Sequence, residues 1–161
     1  MKTLYLIGGT MGIGKTTTCQ LLKSRLNQAV FLDGDWCWDA SPFQVTEETK
    51  VMVMSNICFL LNNFIHCSAY QNIIFCWVMH EQSIIDYILS RIDTSNCKVK
   101  CISLVTDAES LRRRIEADID RTDRMAERSI ARLPLYEQLN TIKIDVSQIN
   151  AEQAAEEIQK L

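Results

Sequence analysis

Apolar residues come along this chain in short dense runs separated by longer amphipathic stretches. Residues 3–9, 29–33, 72–78, 99–105 and 141–145 are short runs rich in aliphatic, β-branched and aromatic side chains, with few polar positions. Runs of that length and composition predict strands buried on both faces. Between and after them, about residues 15–26, 46–68, 81–92, 107–118, 124–139 and 150–160 space their apolar residues as helices do. In the stretch from Thr46, the residues Val51, Met52, Met54, Ile57, Cys58, Leu60, Leu61, Phe64 and Ile65 form an apolar stripe that predicts core packing. Strands alternating with helices predict an α/β fold, one parallel sheet covered on both faces. Ligands of such sheets bind beyond the carboxyl ends of the strands, so the residues just after each strand are the candidates for function.

Composition adds limits. A chain of 161 residues is expected to be a single domain, with enough length for one core. The net charge of −3 implies no basic surface overall, and so no nucleic-acid partner. No apolar run approaches the length of a membrane span, and residues 1–9 already read as the first strand, with no leader ahead of it. Seven cysteines without a C-x-x-C pair read as buried thiols of a reducing cytoplasm. Cys37 differs because it falls in a loop near the candidate site, where it reads as an exposed thiol.

The chemistry begins after the first strand. Gly9-Thr10-Met11-Gly12-Ile13-Gly14-Lys15-Thr16 fits G-x-x-x-x-G-K-[ST], the phosphate-binding P-loop, and Thr17 continues into the predicted helix. A strand, a glycine-rich turn and a helix in that order aim a ring of backbone N–H groups at one point, at the positive end of the helix dipole. Gly9, Gly12 and Gly14 are expected to allow positive φ and close approach of the backbone. Lys15 supplies a point charge for the β- and γ-phosphates, and the Thr16 hydroxyl a ligand for Mg²⁺.

Two further groups accompany the loop. Asp33-Gly34-Asp35 ends the second strand with two carboxylates, one placed for metal and one for an acceptor, or else forms a solvated Asp-Gly turn. Trp36, Trp38 and Phe43 follow it at once, either lining a pocket or covering the end of the core. Trp77 ends the third strand, and His80 and Glu81 follow at the crevice edge, where Glu81 equally suits a helix cap. Residues 107–139 hold seven of the nine arginines. Acidic residues interleave with them, so ion pairs along a helix explain Arg112, Arg113 and Arg132, whereas Arg121 and Arg124 are candidates for phosphate contact.

The P-loop, the D-x-D and the arginine-rich segment, in that order, resemble the P-loop small-molecule and nucleotide kinases: adenylate, shikimate and gluconate kinases and chloramphenicol phosphotransferase. The resemblance covers nearly the whole chain in order of elements. It implies a three-layer α/β/α fold with a five-stranded parallel sheet of order 2-3-1-4-5. It also implies MgATP as donor, bound by Gly9, Met11, Gly12, Ile13, Gly14, Lys15, Thr16 and Thr17. Asp33 would hold the Mg²⁺ shell with Thr16, and Asp35 would contact the acceptor and act as base. Residues 36–70 would hold a small-molecule acceptor, touched by Asp33, Asp35, Trp36, Trp38, Phe43, Trp77, His80 and Glu81. Residues of about 115–128 would form a lid whose Arg121, Arg124 and Arg128 close on the phosphates. Arg114, in Leu111-Arg112-Arg113-Arg114, would stack on adenine. The third strand lacks the acidic residue that many P-loop enzymes carry there, which leaves the metal to Asp33. Residues 36–70 contain no arginine and only Lys50, which disfavours a nucleoside monophosphate as acceptor but leaves an uncharged nucleoside open.

Overall fold

The computed structural model describes residues 1–118 and 123–161, without the side chains of residues 123 and 124. Five strands, β1 (Lys2–Gly8), β2 (Ala29–Asp33), β3 (Asn72–Trp77), β4 (Cys97–Val105) and β5 (Ile142–Asp145), form one parallel sheet in the order β2-β3-β1-β4-β5. The central strand β1 pairs with β3 from Thr3 opposite Asn72 to Gly8 opposite Trp77, and with β4 from Lys2 opposite Cys97 to Gly8 opposite Ser103. This register brings the carboxyl ends of β1 and β3 level and places the P-loop beside the residues after Trp77.

Six helices, α1 (Lys15–Arg25), α2 (Glu47–His66), α3 (Gln82–Arg91), α4 (Ala108–Glu116), α5 (Asp123–Glu137) and α6 (Ala151–Lys160), cover the two faces. Leu4, Leu6, Ile73 and Phe75 pack toward α2 and α3. Tyr5, Ile7, Ile74 and Cys76, the alternate positions of the same strands, pack toward α1, α4 and α6. Burial on both faces is why β1 and β3 read as unbroken apolar runs rather than alternating ones.

The predicted core stripe of α2 holds in part. Ile57, Cys58, Leu61 and Ile65 are buried, as is Val53, which the stripe omitted, but Val51 and Met52 are exposed. At 100° per residue, a face centred on Ile57 and Leu61 turns both outward, together with Phe59. The helix begins where Thr46 and Thr49 form a capping box, Thr46 accepting from the Thr49 N–H and Thr49 from the Thr46 N–H. Among the described residues, no helix is long and apolar enough to cross a membrane.

Candidate active site

The P-loop runs from the end of β1 into α1. Gly12 has φ 88° and Gly14 φ 100°, both in the left-handed region that glycine tolerates. Gly9 differs from expectation, since it is not among the positive-φ glycines; its need is steric, because a Cβ there would stand 2.9 Å from Ile13 Cγ2. Gly14 caps α1 without a side-chain bond, so the first turn of the helix keeps its N–H groups unclaimed by a side chain. Lys15 Nζ donates to the Thr10 carbonyl at 3.0 Å, closing the loop on itself. Burial holds the Lys15 ammonium below the ordinary lysine range, opposed by the nearby Cys76, Asp35 and Asp33. An anion in the cradle would remove that penalty. Buried Thr10 donates to the Ser129 carbonyl at 2.7 Å and so ties the loop to α5.

The end of β2 meets the start of α1 at one point. Thr16 Oγ1 donates to Asp33 Oδ2 at 2.6 Å, and the Asp35 N–H donates to Asp33 Oδ1 at 3.0 Å. Asp33 is buried; it therefore caps the 3-10 turn Gly34–Trp38 and faces the P-loop hydroxyl at once. The two groups are hard oxygen donors, the kind a Mg²⁺ ion takes alongside phosphate oxygens. Asp35 is exposed, and its Oδ1 accepts from Trp77 Nε1 at 3.2 Å. Gly34 is required here by close approach. A Cβ would lie 2.5 Å from Trp77 Cγ and 2.6 Å from Cδ1, so the indole rests directly on the Gly34 backbone.

The structure divides the aromatic trio that the sequence grouped together. Phe43 lines a cavity of about 210 Å³ with Thr10, Met11, Met125, Arg128, Ser129 and Arg132. Trp36 lines a second cavity of about 500 Å³ against α2. Trp38 belongs to that second cavity and also meets Phe43 and Trp77 edge-on, at 4.9 and 5.9 Å between ring centroids. Neighbouring residues of one irregular segment thus face opposite ways.

Arg114 reaches under the loop. Its guanidinium donates to the carbonyls of Val146 (2.6 Å), Ile149 (2.9 Å) and Ile13 (3.4 Å), which binds the P-loop to the segment after β5. Arg128 opens onto the small cavity beside Met11. Arg121 lies outside the described residues, and so does the side chain of Arg124. Arg113 pairs with Glu109 at 3.7 Å, as an exposed helix predicts. Arg132 does not fit that reading: it is half-buried and lines the cavity one helical turn from Arg128. The i,i+4 spacing of 128 and 132 was the available signal, hidden among the interleaved acids.

His80 follows Met79, whose φ of 35° marks a left-handed turn after β3. Its Nε2 lies 3.4 Å from Glu81 Oε1, and its Nδ1 is buried with no hydrogen-bond partner among the described residues. Burial, and then Arg132, lower its pKa, so this imidazole is neutral over a wider range than usual. Glu81 is the residue before α3 but makes no capping hydrogen bond to it.

A family model described as an AAA domain matches residues 6–134. No curated protein matches the sequence. Among solved structures, the chain is similar to a tunicamycin resistance protein of Deinococcus radiodurans (18% identity, TM-score 0.77, covering 99% of this chain and 95% of that one). It is also similar to a gluconokinase of Sinorhizobium meliloti 1021 (12%, TM-score 0.69, 98% and 94%) and to a shikimate kinase of Acinetobacter baumannii (21%, TM-score 0.63, 99% and 92%). At these identities the likeness is one of fold: the five-stranded parallel sheet of the P-loop kinases, with its helices on both faces.

Proposed function

The chain belongs to the AAA domain family, and on that premise we propose that it is a kinase, transferring the γ-phosphoryl group of MgATP to a hydroxyl of a small molecule. The observation that carries the reading is the meeting of Thr16, Asp33 and Asp35 within two hydrogen bonds at the mouth of the P-loop. Phosphoryl transfer needs alignment, cations around the moving group and an acceptor for one proton; Lys15 and a Mg²⁺ ion held by Thr16 and Asp33 would supply the cations, and Asp35 would accept the proton.

The triphosphate lies in the cradle of residues 9–17, with its charge on the loop N–H groups and Lys15. Thr16 and Asp33 would hold a magnesium ion, which would neutralise phosphate-oxygen charge. Asp35 accepts the hydroxyl proton as the acceptor oxygen bonds to phosphorus; the bond to the bridging oxygen breaks and ADP leaves. Trp77 holds the Asp35 carboxylate through its N–H, and so acts as a positioning residue. Arg114, its edge fixed by three carbonyls, presents the plane of its guanidinium to the base. Arg128, which lines the small cavity beside Met11, would close on the transferring group, and the same role is proposed for Arg121 and Arg124. Trp36, Trp38, His80 and Glu81 stand on the acceptor side, while Phe43 lines the small cavity beside Thr10 and Arg128.

The test is ADP release on mixing the protein with MgATP and a panel of polyols, hydroxy acids, nucleosides and aminoglycosides. Turnover confined to one acceptor class is the expected result. Hydrolysis that no acceptor stimulates would replace the kinase by a nucleotide-driven switch.

A further inference from the structure

The larger of the two cavities, about 500 Å³, is lined by segment 36–44 and α2, and it is unlike the smaller one. The smaller is lined by two arginines, whereas among the described residues no lysine or arginine lines the larger. Among them its one charged lining residue is Asp39. Its walls carry two indoles, Trp36 and Trp38, with Met52, and the amides of Gln44 and Asn56. Trp36 remains 54% exposed even though its ring is braced edge-on against Phe31 at 5.1 Å, so it is a rigid flat surface offered to solvent rather than a core residue. Asn56 spends one Nδ2 hydrogen on the Cys37 carbonyl at 2.9 Å, which leaves its second N–H and its Oδ1 acceptor to offer.

The cavity also adjoins the reacting end. Trp36 follows Asp35 directly in the chain. Cys37, on the cavity wall, is close enough to Asp33 and Asp35 for both carboxylates to help push its thiol up.

We propose that the cavity between the 3-10 turn and α2 binds the heteroaromatic ring of an uncharged nucleoside, whose sugar hydroxyl reaches Asp35 and is the phosphate acceptor. This deepens the proposed function and rests on its assignment of Asp35. Flat polar rings are recognised by stacking on aromatic faces and by amide hydrogen bonds to their edges, and the cavity offers both. The absence of a cation among the described lining residues disfavours a ligand that already carries a phosphate. The reaction balances as nucleoside hydroxyl plus MgATP giving nucleoside monophosphate, MgADP and one proton, the proton passing first to Asp35.

The experiment is calorimetric titration of the full chain with uridine, cytidine, adenosine and guanosine, with the 5′-monophosphate of each, and with MgATP. Trp36→Ala and Trp36→Phe are titrated in parallel. At least one nucleoside is expected to bind one to one, and its monophosphate at least fivefold more weakly. Trp36→Ala should lose about 5- to 150-fold in nucleoside affinity, the range that one stacked base contributes, with Trp36→Phe intermediate. MgATP affinity should stay unchanged in both variants, which also shows that they are folded. Failure of all four nucleosides in a protein that binds MgATP overturns this inference alone. So does nucleoside binding that persists in Trp36→Ala, since it then belongs to the ATP site. Failure of MgATP overturns the kinase reading instead, and leaves nucleoside binding to be judged by the same Trp36 variants.

Discussion

The two walls of the crevice are built by different rules. The nucleotide wall is local: a strand, two left-handed glycines and a helix start within residues 2–25 make the cradle, almost entirely from backbone. The acceptor wall is assembled from distant pieces. Asp35 is held by Trp77, Asn56 anchors Cys37, and His80 is near enough to Arg132 to feel its charge. A backbone cradle tolerates change in most of its side chains but not in its glycines or its one lysine. A wall made of side chains can be respecified residue by residue, and that is how one fold comes to serve many acceptors.

The difference predicts unequal mutational effects, the largest at the cradle. Lys15→Ala should lower phosphoryl transfer by about 10³-fold, the scale of a lost charge-stabilising donor, with the fold intact by circular dichroism. Asp35→Asn should cost about 10²- to 10³-fold in kcat, the worth of one general base, while MgATP affinity stays constant in calorimetry. Full activity in that variant would remove Asp35 from its role.

At the join between the walls, Cys37 tests the local electrostatics. Burial, with help from Asp33 and Asp35, raises its pKa to about 11, so its folded state keeps a proton that the unfolded chain gives up near pH 9. Its contribution to stability is therefore complete below pH 9 and is lost as pH rises through 11. The same shift should make its alkylation at pH 8 about a hundredfold slower than that of an ordinary thiol, as followed by mass spectrometry.

Gly34→Ala should destabilise the protein by about 1–3 kcal/mol in urea unfolding, because the added methyl meets Trp77 well inside contact distance. Trp77→Phe should have the smallest effect. It keeps a ring over Gly34 but deletes the N–H to Asp35, so kcat falls roughly three- to tenfold with KM little changed. Loss of a hydrogen bond to the carboxylate favours its protonated form, so the acid limb of the rate profile should also move to higher pH. A change in thermal stability with no move of that limb would make Trp77 merely structural.

The same contrast explains what could be read from the sequence. The strands and helices were legible from the alternation of runs and the cradle from eight consecutive residues, because each depends on near neighbours in the chain; the sheet order came only through the resemblance. Asp33 was legible for the same reason, since a strand end puts it on the crevice side. The division of Trp36 from Phe43 was not, because it depends on how an irregular segment packs against α2 and α5. Nor was the outward turn of Val51 and Met52, which only the packed position of α2 determines. Arg132 was hidden by charge interleaving: near-neighbour acids made an exposed ion pair the simpler reading, while the tertiary fold placed it beside Arg128.

The central claim is that residues 9–16 grip a triphosphate. Calorimetric titration with ATP and magnesium tests it most directly, on the unaltered chain beside Lys15→Ala. The account predicts saturable one-to-one binding that the variant weakens at least tenfold. Absence of heat from any purine triphosphate, or equal affinity in the two proteins, would contradict it.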